Sequence, residues 1–353
     1  MKRKSAATTK LDEPIMALAL REARRGLGMT SPNPAVGAVV VRDGKVIARG
    51  YHHRAGLPHA EIEALRALKK PDLARGATLY VTLEPCSTHG RTPPCVDAIL
   101  RAGLSRVVIG AIDPNPAHAG RGVEVLRAAG VNVTTGILEG ECRELNAAFN
   151  HWIVTKMPLV TAKVGMSLDG RLTRPPGKGQ WITSAAARAD AQKLRAQVDA
   201  ILVGAETVRV DNPWLTVRGI PGARQPWRVV LTRSGRLPKE AHIFTDEHRE
   251  RTLVYRGQSL RSVLRDLGRR QVTSVLIEGG GQVLGEAFDR RLVHRVQFYV
   301  APLLCGGPVV AIGGLGVNSS AESAAIRRPR YEKVGGNLRI TGEVEYPAAI
   351  SAA

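Results

Sequence analysis

The stretch LEPCSTHGRTPPC, Leu83–Cys95, sets two of the chain's four cysteines at either end of a loop rich in Pro, Gly and hydroxyl residues. Such a pair is a disulfide, part of a metal clamp, or two small buried side chains. Disulfide frameworks belong to short secreted chains, and four cysteines in 353 residues are too few for one. One strand upstream, the motif HAE, His59–Glu61, opens a helix-like segment. A histidine and two cysteines suit zinc, and catalytic zinc sites commonly take three protein ligands and leave the fourth position to water. His59 would supply an imidazole and Cys86 and Cys95 thiolates, with Cys95 at a helix start that favours the ionised sulfur. Glu61 would reach the bound water without ligating the metal. Hydrolytic deamination needs this set: a metal that acidifies water and a carboxylate that carries its proton to the departing amine. A Cys pair in a loop is, taken alone, as often structural, so the readings stay open here.

The length suffices for two domains with cores of their own, and 44% hydrophobic with 23% charged residues describes a soluble globular protein. The N-terminal MKRKSAATTK is basic but lacks a signal peptide's apolar run, and no stretch reaches the roughly 20 apolar residues of a membrane span. The expected setting is the cytoplasm, with reduced thiols and no membrane partner. A net charge of +20 raises nucleic acid as a partner. Both halves are basic, with 22 Lys and Arg against 14 Asp and Glu up to Lys156, and 29 against 17 beyond it. The excess is spread as single Arg residues without interleaved aromatics, which leaves nucleic acid a minor reading and suits a phosphorylated small substrate.

Residues 1–10 read as a flexible tail. LDEPIMALALREARRGLGM predicts a first helix, with Asp12 as its cap, Pro14 in its first turn and Gly26 and Gly28 closing it. AVGAVVV and KVIARGYH read as a hairpin about RDG, followed by a helix over AEIEALRALKK stopped by Pro71. ATLYVTLE, VDAILRAG, RVVIGAI, VEVLRAAG and NVTTGIL then alternate strand and helix, predicting a layered α/β domain with a largely parallel sheet over residues 11–155. A helix-like stretch ends at Met157-Pro158, and residues 156–353 repeat the alternation. Their strands are LVTAKVGMSLDG, AILVGAE, WRVVLT, TLVY, SVLIEGG and RVQFYVAPLL, with a long helix over SAAARADAQKLRAQV. Lys163 within an apolar strand has to face a cleft, a partner, or solvent from a sheet edge.

Zinc nucleobase deaminases carry H-x-E followed by P-C-x-x-C; here STHGRTPP separates the cysteines. With that wider gap, SPNPAVG, GYHHRAGLPHAE, LEPCSTHGRTPPC and DPNPAHAGRG resemble the deaminase domain of the bifunctional deaminase/reductase family of riboflavin biosynthesis. AKVGMSLDG, GQWITS, LRAQVDAILVGAETVRVDNPWLTVR and IEGGGQVLG are similar, in this order, to its reductase domain. The resemblance implies a cytidine-deaminase-like three-layer domain followed by a dihydrofolate-reductase-like α/β domain. It implies zinc on His59, Cys86 and Cys95, proton transfer by Glu61, and substrate contacts at Asn33 and His52. In the second half it implies NADPH contacts at Gly165, Trp181, Thr207, Asp211, Gly280, Gly281 and Gly285. Substrate contacts would fall on Gly179, Thr183, Arg195, Leu215, Arg218 and Glu278, with Arg195 and Arg218 suited to holding a phosphate. Lys163 and Asp211 become candidates for the cation and the proton source of the reduction. The chain departs from the family pattern at Thr88, where relatives often carry His, and at Gly179 and Arg233, where they often carry Ser.

The substrate so implied is a phosphorylated pyrimidine, deaminated and then reduced in its ribosyl group; a monomer and a homo-oligomer both stay open. Two rivals remain. An editing deaminase acting on nucleic acid would need an aromatic-lined groove, and aromatics are only 4% of the chain. A zinc-stabilised scaffold would have no need of Glu61.

Overall fold

Along the strand Gly37–Arg42 (β1), Ala38 and Val40 enter one hydrophobic core while Val39 and Val41 enter another. This two-residue alternation makes β1 the middle layer of three. The computed structural model describes residues 10–89, 93–172 and 181–348, and the chain divides between Lys156 and Met157 into two units. In the first unit β1 pairs antiparallel with Lys45–Tyr51 (β2) and with Thr78–Leu83 (β3). Parallel pairs follow from β3 to Arg106–Ala111 (β4) and on to Asn132–Thr135 (β5), giving the order β2-β1-β3-β4-β5. The sheet is therefore mixed rather than largely parallel. Asp43 and Gly44, both at positive φ, turn the chain straight back between β1 and β2, so no crossover helix separates these two strands.

The helices Asp12–Arg24 (α1), Ala60–Arg66 (α2), Cys95–Arg101 (α3), Arg121–Ala128 (α4), Glu139–Leu145 (α5) and Ala147–Thr155 (α6) complete this unit. Met16 and Ala19 of α1 and Cys142 of α5 share the core on one face. Ala64 of α2, Ile99 of α3 and Leu126 of α4 fill the other. A Cβ on Gly50 of β2 would lie 2.3 Å from the Ala64 backbone nitrogen, so glycine there lets α2 rest directly on the strand. The sequence predicts α2 as far as Lys70, yet it ends at Arg66 and Pro71 opens a separate 3-10 turn, Pro71–Ala74. Asp12, expected as the cap of α1, is instead its first residue and wholly buried. Its carboxylate accepts from Tyr80 Oη at 2.9 Å and from both terminal nitrogens of Arg106 at 2.9 and 2.8 Å. Burial and this bond to Asp12 push the Tyr80 phenol up to about 12.

The second unit is built on Leu159–Ser167 (β6), Ala200–Gly204 (β7), Trp227–Thr232 (β8), Thr252–Arg256 (β9), Ser274–Ile277 (β10), Arg295–Ala301 (β11), Ala325–Val334 (β12) and Asn337–Glu345 (β13). Their order is β12-β13-β11-β6-β10-β7-β8-β9, parallel from β11 to β9 and antiparallel at β13 and β12. Ala185–Arg195 (α7), Ala205–Asp211 (α8), His242–Thr245 (α9), Leu260–Arg269 (α10) and Gly281–Asp289 (α11) surround the sheet. Leu264 of α10 and Leu284 of α11 pack on one face, and Val208 of α8 and Ile243 of α9 on the other. The Ser184 hydroxyl caps α7 by accepting from the Ala187 N–H at 3.2 Å. The terminal hairpin β12–β13 extends beyond the strands read from sequence. Arg327, Arg328 and Arg330 are exposed on β12, Pro329 lies among them, and the register shifts between Arg327 and Arg330, marks of a sheet edge that hide the strand's periodicity. No helix among the described residues is long and apolar enough to cross a membrane.

Breaking a buried ion pair from one side leaves an uncompensated charge, which costs about 3–5 kcal/mol. Asp12→Ala is expected to destabilise the first unit on that scale, read as a lower urea midpoint for its unfolding, with the transition of the second unit unmoved.

Candidate active sites

In the first unit, three element ends bring the donors together. His59 is the residue before α2, Cys95 is the first residue of α3, and Cys86 follows the end of β3. His59 Nδ1 lies 3.2 Å from Cys95 Sγ and 3.6 Å from Cys86 Sγ, and the three donor atoms lie within 4.8 Å of one another. The Cys95 N–H donates to Cys86 Sγ at 3.3 Å. Cys86 is lowered to about 4, chiefly because the Cys95 thiol donates to it, with His59 adding to the effect. The bond to Cys86, and then burial, push the Cys95 thiol up, the reverse of the ionised sulfur expected at a helix start. All four cysteines are free thiols, which removes the disulfide reading. A zinc ion bound tetrahedrally at ordinary Zn–S and Zn–N lengths separates its ligand atoms by roughly 3.6 Å, so this donor set fits the metal in both chemistry and spacing.

Glu61, in the first turn of α2, is only 3% exposed and its Oε2 has no hydrogen-bond partner. Burial pushes its carboxyl above the ordinary value. A buried carboxylate oxygen left unpaired beside two thiols and an imidazole is a group that a metal-bound water would satisfy. His52 is buried and its imidazole is lowered, first by that burial. Its Nδ1 is 2.9 Å from the Pro58 carbonyl, which only accepts, so the neutral ring carries its proton there. Nε2 then accepts from Asn33 Nδ2 at 3.1 Å, and the ring meets His59 edge-on with centroids 5.3 Å apart. Asn33 and His52 are thus joined to the cluster of His59, Cys86 and Cys95. Thr88 Oγ1 faces His118 Nδ1 at 3.4 Å.

Sequence reasoning passed over two residues of this unit. Asn146 accepts from the Ala35 N–H at 2.8 Å and donates to the Ala35 carbonyl at 2.9 Å, fastening the segment that carries Asn33. Glu84 binds four backbone N–H groups between Asp113 and Val123. Neither pairing spans a spacing with a recognisable pattern; only the acid before Pro85-Cys86 stood in view.

In the second unit Lys163 lies on β6, between β11 and β10, which removes the reading as an edge-strand lysine. Its Nζ is 3.5 Å from Glu278 Oε2. Arg195, at the end of α7, grips Glu278 with two bonds of 2.7 and 2.8 Å and donates its remaining arm to the Thr216 carbonyl at 3.1 Å. The fork of Arg195, expected to touch the substrate, is thus engaged with a carboxylate; Arg218 is exposed, and its backbone N–H donates to Gln192 Oε1. Burial raises the Glu278 carboxyl, but Arg195 and then Lys163 outweigh it and hold Glu278 at about 2. Asp211 is the exposed last residue of α8 and, among the described residues, has no hydrogen bond or ion pair with Lys163 or Glu278.

A Cβ on Gly165 would meet Thr183 Cγ2 at 2.9 Å, and one on Gly280 would meet Thr207 Oγ1 at 3.7 Å. Trp181 is exposed beneath the Arg188 guanidinium, 4.8 Å from its ring centroid. Leu215 is buried beside Val208 and Ile243, so its side chain serves the core. A Cβ on Gly281 would lie 2.3 Å from the Val310 carbonyl and one on Gly285 2.2 Å from the Gly313 backbone. Both glycines are thereby required for packing α11 against residues 310–314. Gly179 lies outside the described residues.

A Cys/Cys/His cluster with a buried acid, on a three-layer α/β unit followed by a second, largely parallel α/β unit, defines a zinc-type deaminase joined to a further catalytic unit. Residues 9–111 match the cytidine and deoxycytidylate deaminase zinc-binding region, and residues 158–337 match the RibD C-terminal domain. The chain belongs to the family of the riboflavin biosynthesis protein RibD and carries both its deaminase and its reductase unit. It is 40% identical to the RibD protein of Aquifex aeolicus over 94% of this chain and 98% of that one. The Escherichia coli protein is likewise 40% identical, over 92% and 97%. Among solved structures, RibD of Acinetobacter baumannii superposes with a TM-score of 0.88 at 38% identity, covering 95% of this chain and 99% of that one. A Thermotoga maritima diaminohydroxyphosphoribosylaminopyrimidine deaminase/5-amino-6-(5-phosphoribosylamino)uracil reductase gives 0.85 at 37%, covering 96% and 99%.

A carboxyl held low in the folded state stabilises that state above its unfolded value and loses the contribution as pH falls towards its folded one. For Glu278 that window runs from the ordinary 4.5 down to about 2. Glu278→Gln should destabilise the second unit at pH 7 by about 3 kcal/mol, and the difference from the unaltered protein should shrink when urea unfolding is repeated below pH 4. A gap that persists unchanged in acid would show that the charge contributes nothing.

Proposed function

We propose that the first unit hydrolyses 2,5-diamino-6-(5-phosphoribosylamino)pyrimidin-4(3H)-one to 5-amino-6-(5-phosphoribosylamino)uracil with release of ammonia. The second unit then reduces the ribosyl group of that product to ribityl with NADPH. The observation that carries the deaminase reading is the unpaired Glu61 Oε2 beside His59, Cys86 and Cys95. The three ligands would hold zinc, which supplies an acidified water. Glu61 would carry a water proton to the ring nitrogen beside the reacting carbon and pass a second to the departing amine. Water is consumed and ammonia leaves, so the balance closes without a redox partner. The neutral His52 orients Asn33 through Nε2, leaving the Asn33 side-chain carbonyl to accept from the pyrimidine.

In the reductase unit we assign Lys163 to steadying the polarised, ring-opened sugar as hydride arrives, with Glu278 fixing its ammonium. Asp211, exposed at the end of α8, remains the proposed proton source, reached once substrate and cofactor span the strand ends. Exposed Arg218 is the stronger candidate for the substrate phosphate, since Arg195 is committed to Glu278. Thiol ligands need a reducing setting, which agrees with a cytoplasmic enzyme.

Mass spectrometry of the products tests both halves in one chain. The zinc-loaded protein should replace amine by carbonyl without NADPH and add two hydrogens when NADPH is present. Glu61→Gln is expected to retain zinc and lose deamination by at least a hundredfold, while still reducing supplied aminouracil product. Lys163→Met should give the converse, and near-normal reduction in that variant would remove Lys163 from the mechanism.

A further inference from the structure

We infer that Glu84 is a positioning residue of the deaminase site, fastening the segment Asp113–Val123 beside the metal-ligand loop as the wall against which substrate is held. The inference rests on the reading of His59, Glu61, Cys86 and Cys95 as that site.

Glu84 is buried, 5% exposed, and forms no salt bridge to Lys, Arg or His among the described residues. A buried carboxylate without a cation is costly unless its oxygens are saturated by donors. Here backbone N–H groups supply them: Oε2 accepts from Asp113 at 3.2 Å and Gly120 at 2.9 Å, and Oε1 from Gly122 at 2.8 Å and Val123 at 3.3 Å. The last two open α4, whose positive end adds to the attraction. One side chain thus closes a segment of chain onto the end of β3.

Three observations aim this clamp at the site rather than at the fold in general. Glu84 stands two residues ahead of Cys86. A Cβ on Gly122 would lie 2.3 Å from the Pro85 carbonyl, so the segment is pressed against the backbone that leads into the ligand. Midway along the segment, between its attachments to Glu84, His118 meets Thr88, a residue of the loop between the two cysteines, at 3.4 Å. Between these attachments the Asp113 side chain accepts from the Asn115 N–H at 2.8 Å, which shapes the intervening turn. The wall is held at its base by Glu84 and at its tip by the Thr88–His118 pair.

Glutamine matches glutamate in shape but turns an amino group towards two of the four N–H donors. In full-length Glu84→Gln the deamination KM is expected to rise at least tenfold with a smaller fall in kcat, while NADPH-dependent reduction of supplied aminouracil product stays unchanged. The thiolate-to-metal absorption of the cobalt-substituted protein should also stay unchanged. His118→Ala, a substitution at the tip that spares the core, should raise KM in the same sense and carries the test if Glu84→Gln fails to fold. An unaltered KM overturns the inference. So does loss of the cobalt absorption in Glu84→Gln, which would make Glu84 a support of Cys86 instead of the wall. The cobalt spectrum of the unaltered chain judges the ligand set separately, so a failure of the metal reading and a failure of the Glu84 inference give different results.

Discussion

His59 Nδ1 and the Cys86 and Cys95 sulfurs, from separate parts of the chain, meet within 4.8 Å, and the elements of the first unit hold them there. Each donor is placed on a rigid boundary: His59 before α2, Cys95 at the start of α3, Cys86 just past β3. Rigid boundaries matter because metal geometry tolerates little drift in its ligands. The glycine at position 50 lowers α2 onto the sheet, and the Cys95 N–H locks the two cysteine segments to each other. Cores on both faces then keep β1 and β3 from shifting.

The two units bury an acid beside their sites by different means. Glu84 is saturated by backbone N–H groups, which couples a side-chain charge to the path of a loop. Glu278 is saturated by the cations Arg195 and Lys163, which couples it to the charge balance of the site. The first arrangement fixes shape, and the second fixes protonation. Glu61 differs from both, buried with an oxygen unpaired. That contrast sets Glu61 apart as the acid with an acceptor still open, against the two already satisfied.

Much was legible from local pattern. The grouping of His59, Cys86 and Cys95 as a possible metal set, the chain division near Met157 and the alternation of strand and helix left marks in short-range spacing, through the 2 and 3.6 periods and turn residues, though only the family resemblance chose the metal over the other readings of the cysteines. Asp12 was misread because an acid at a helix start ordinarily caps it, while its partners Tyr80 and Arg106 lie far along the chain. The antiparallel join of β1 to β3 was invisible for a similar reason, since strand neighbours are settled by sheet order and not by sequence order.

By itself the sequence determined the chemistry on offer: which side chains could bind a metal, which acid could move a proton, and which strands alternate with helices. Only the tertiary structure decided how the charges are spent. It engaged the Arg195 fork with Glu278, set Lys163 in the middle of a sheet, and pressed Gly281 and Gly285 against residues 310–314. The physical reason is common to these cases. A charge or a missing side chain has meaning only through what fills the space beside it, and that neighbour is brought there by packing over long stretches of chain.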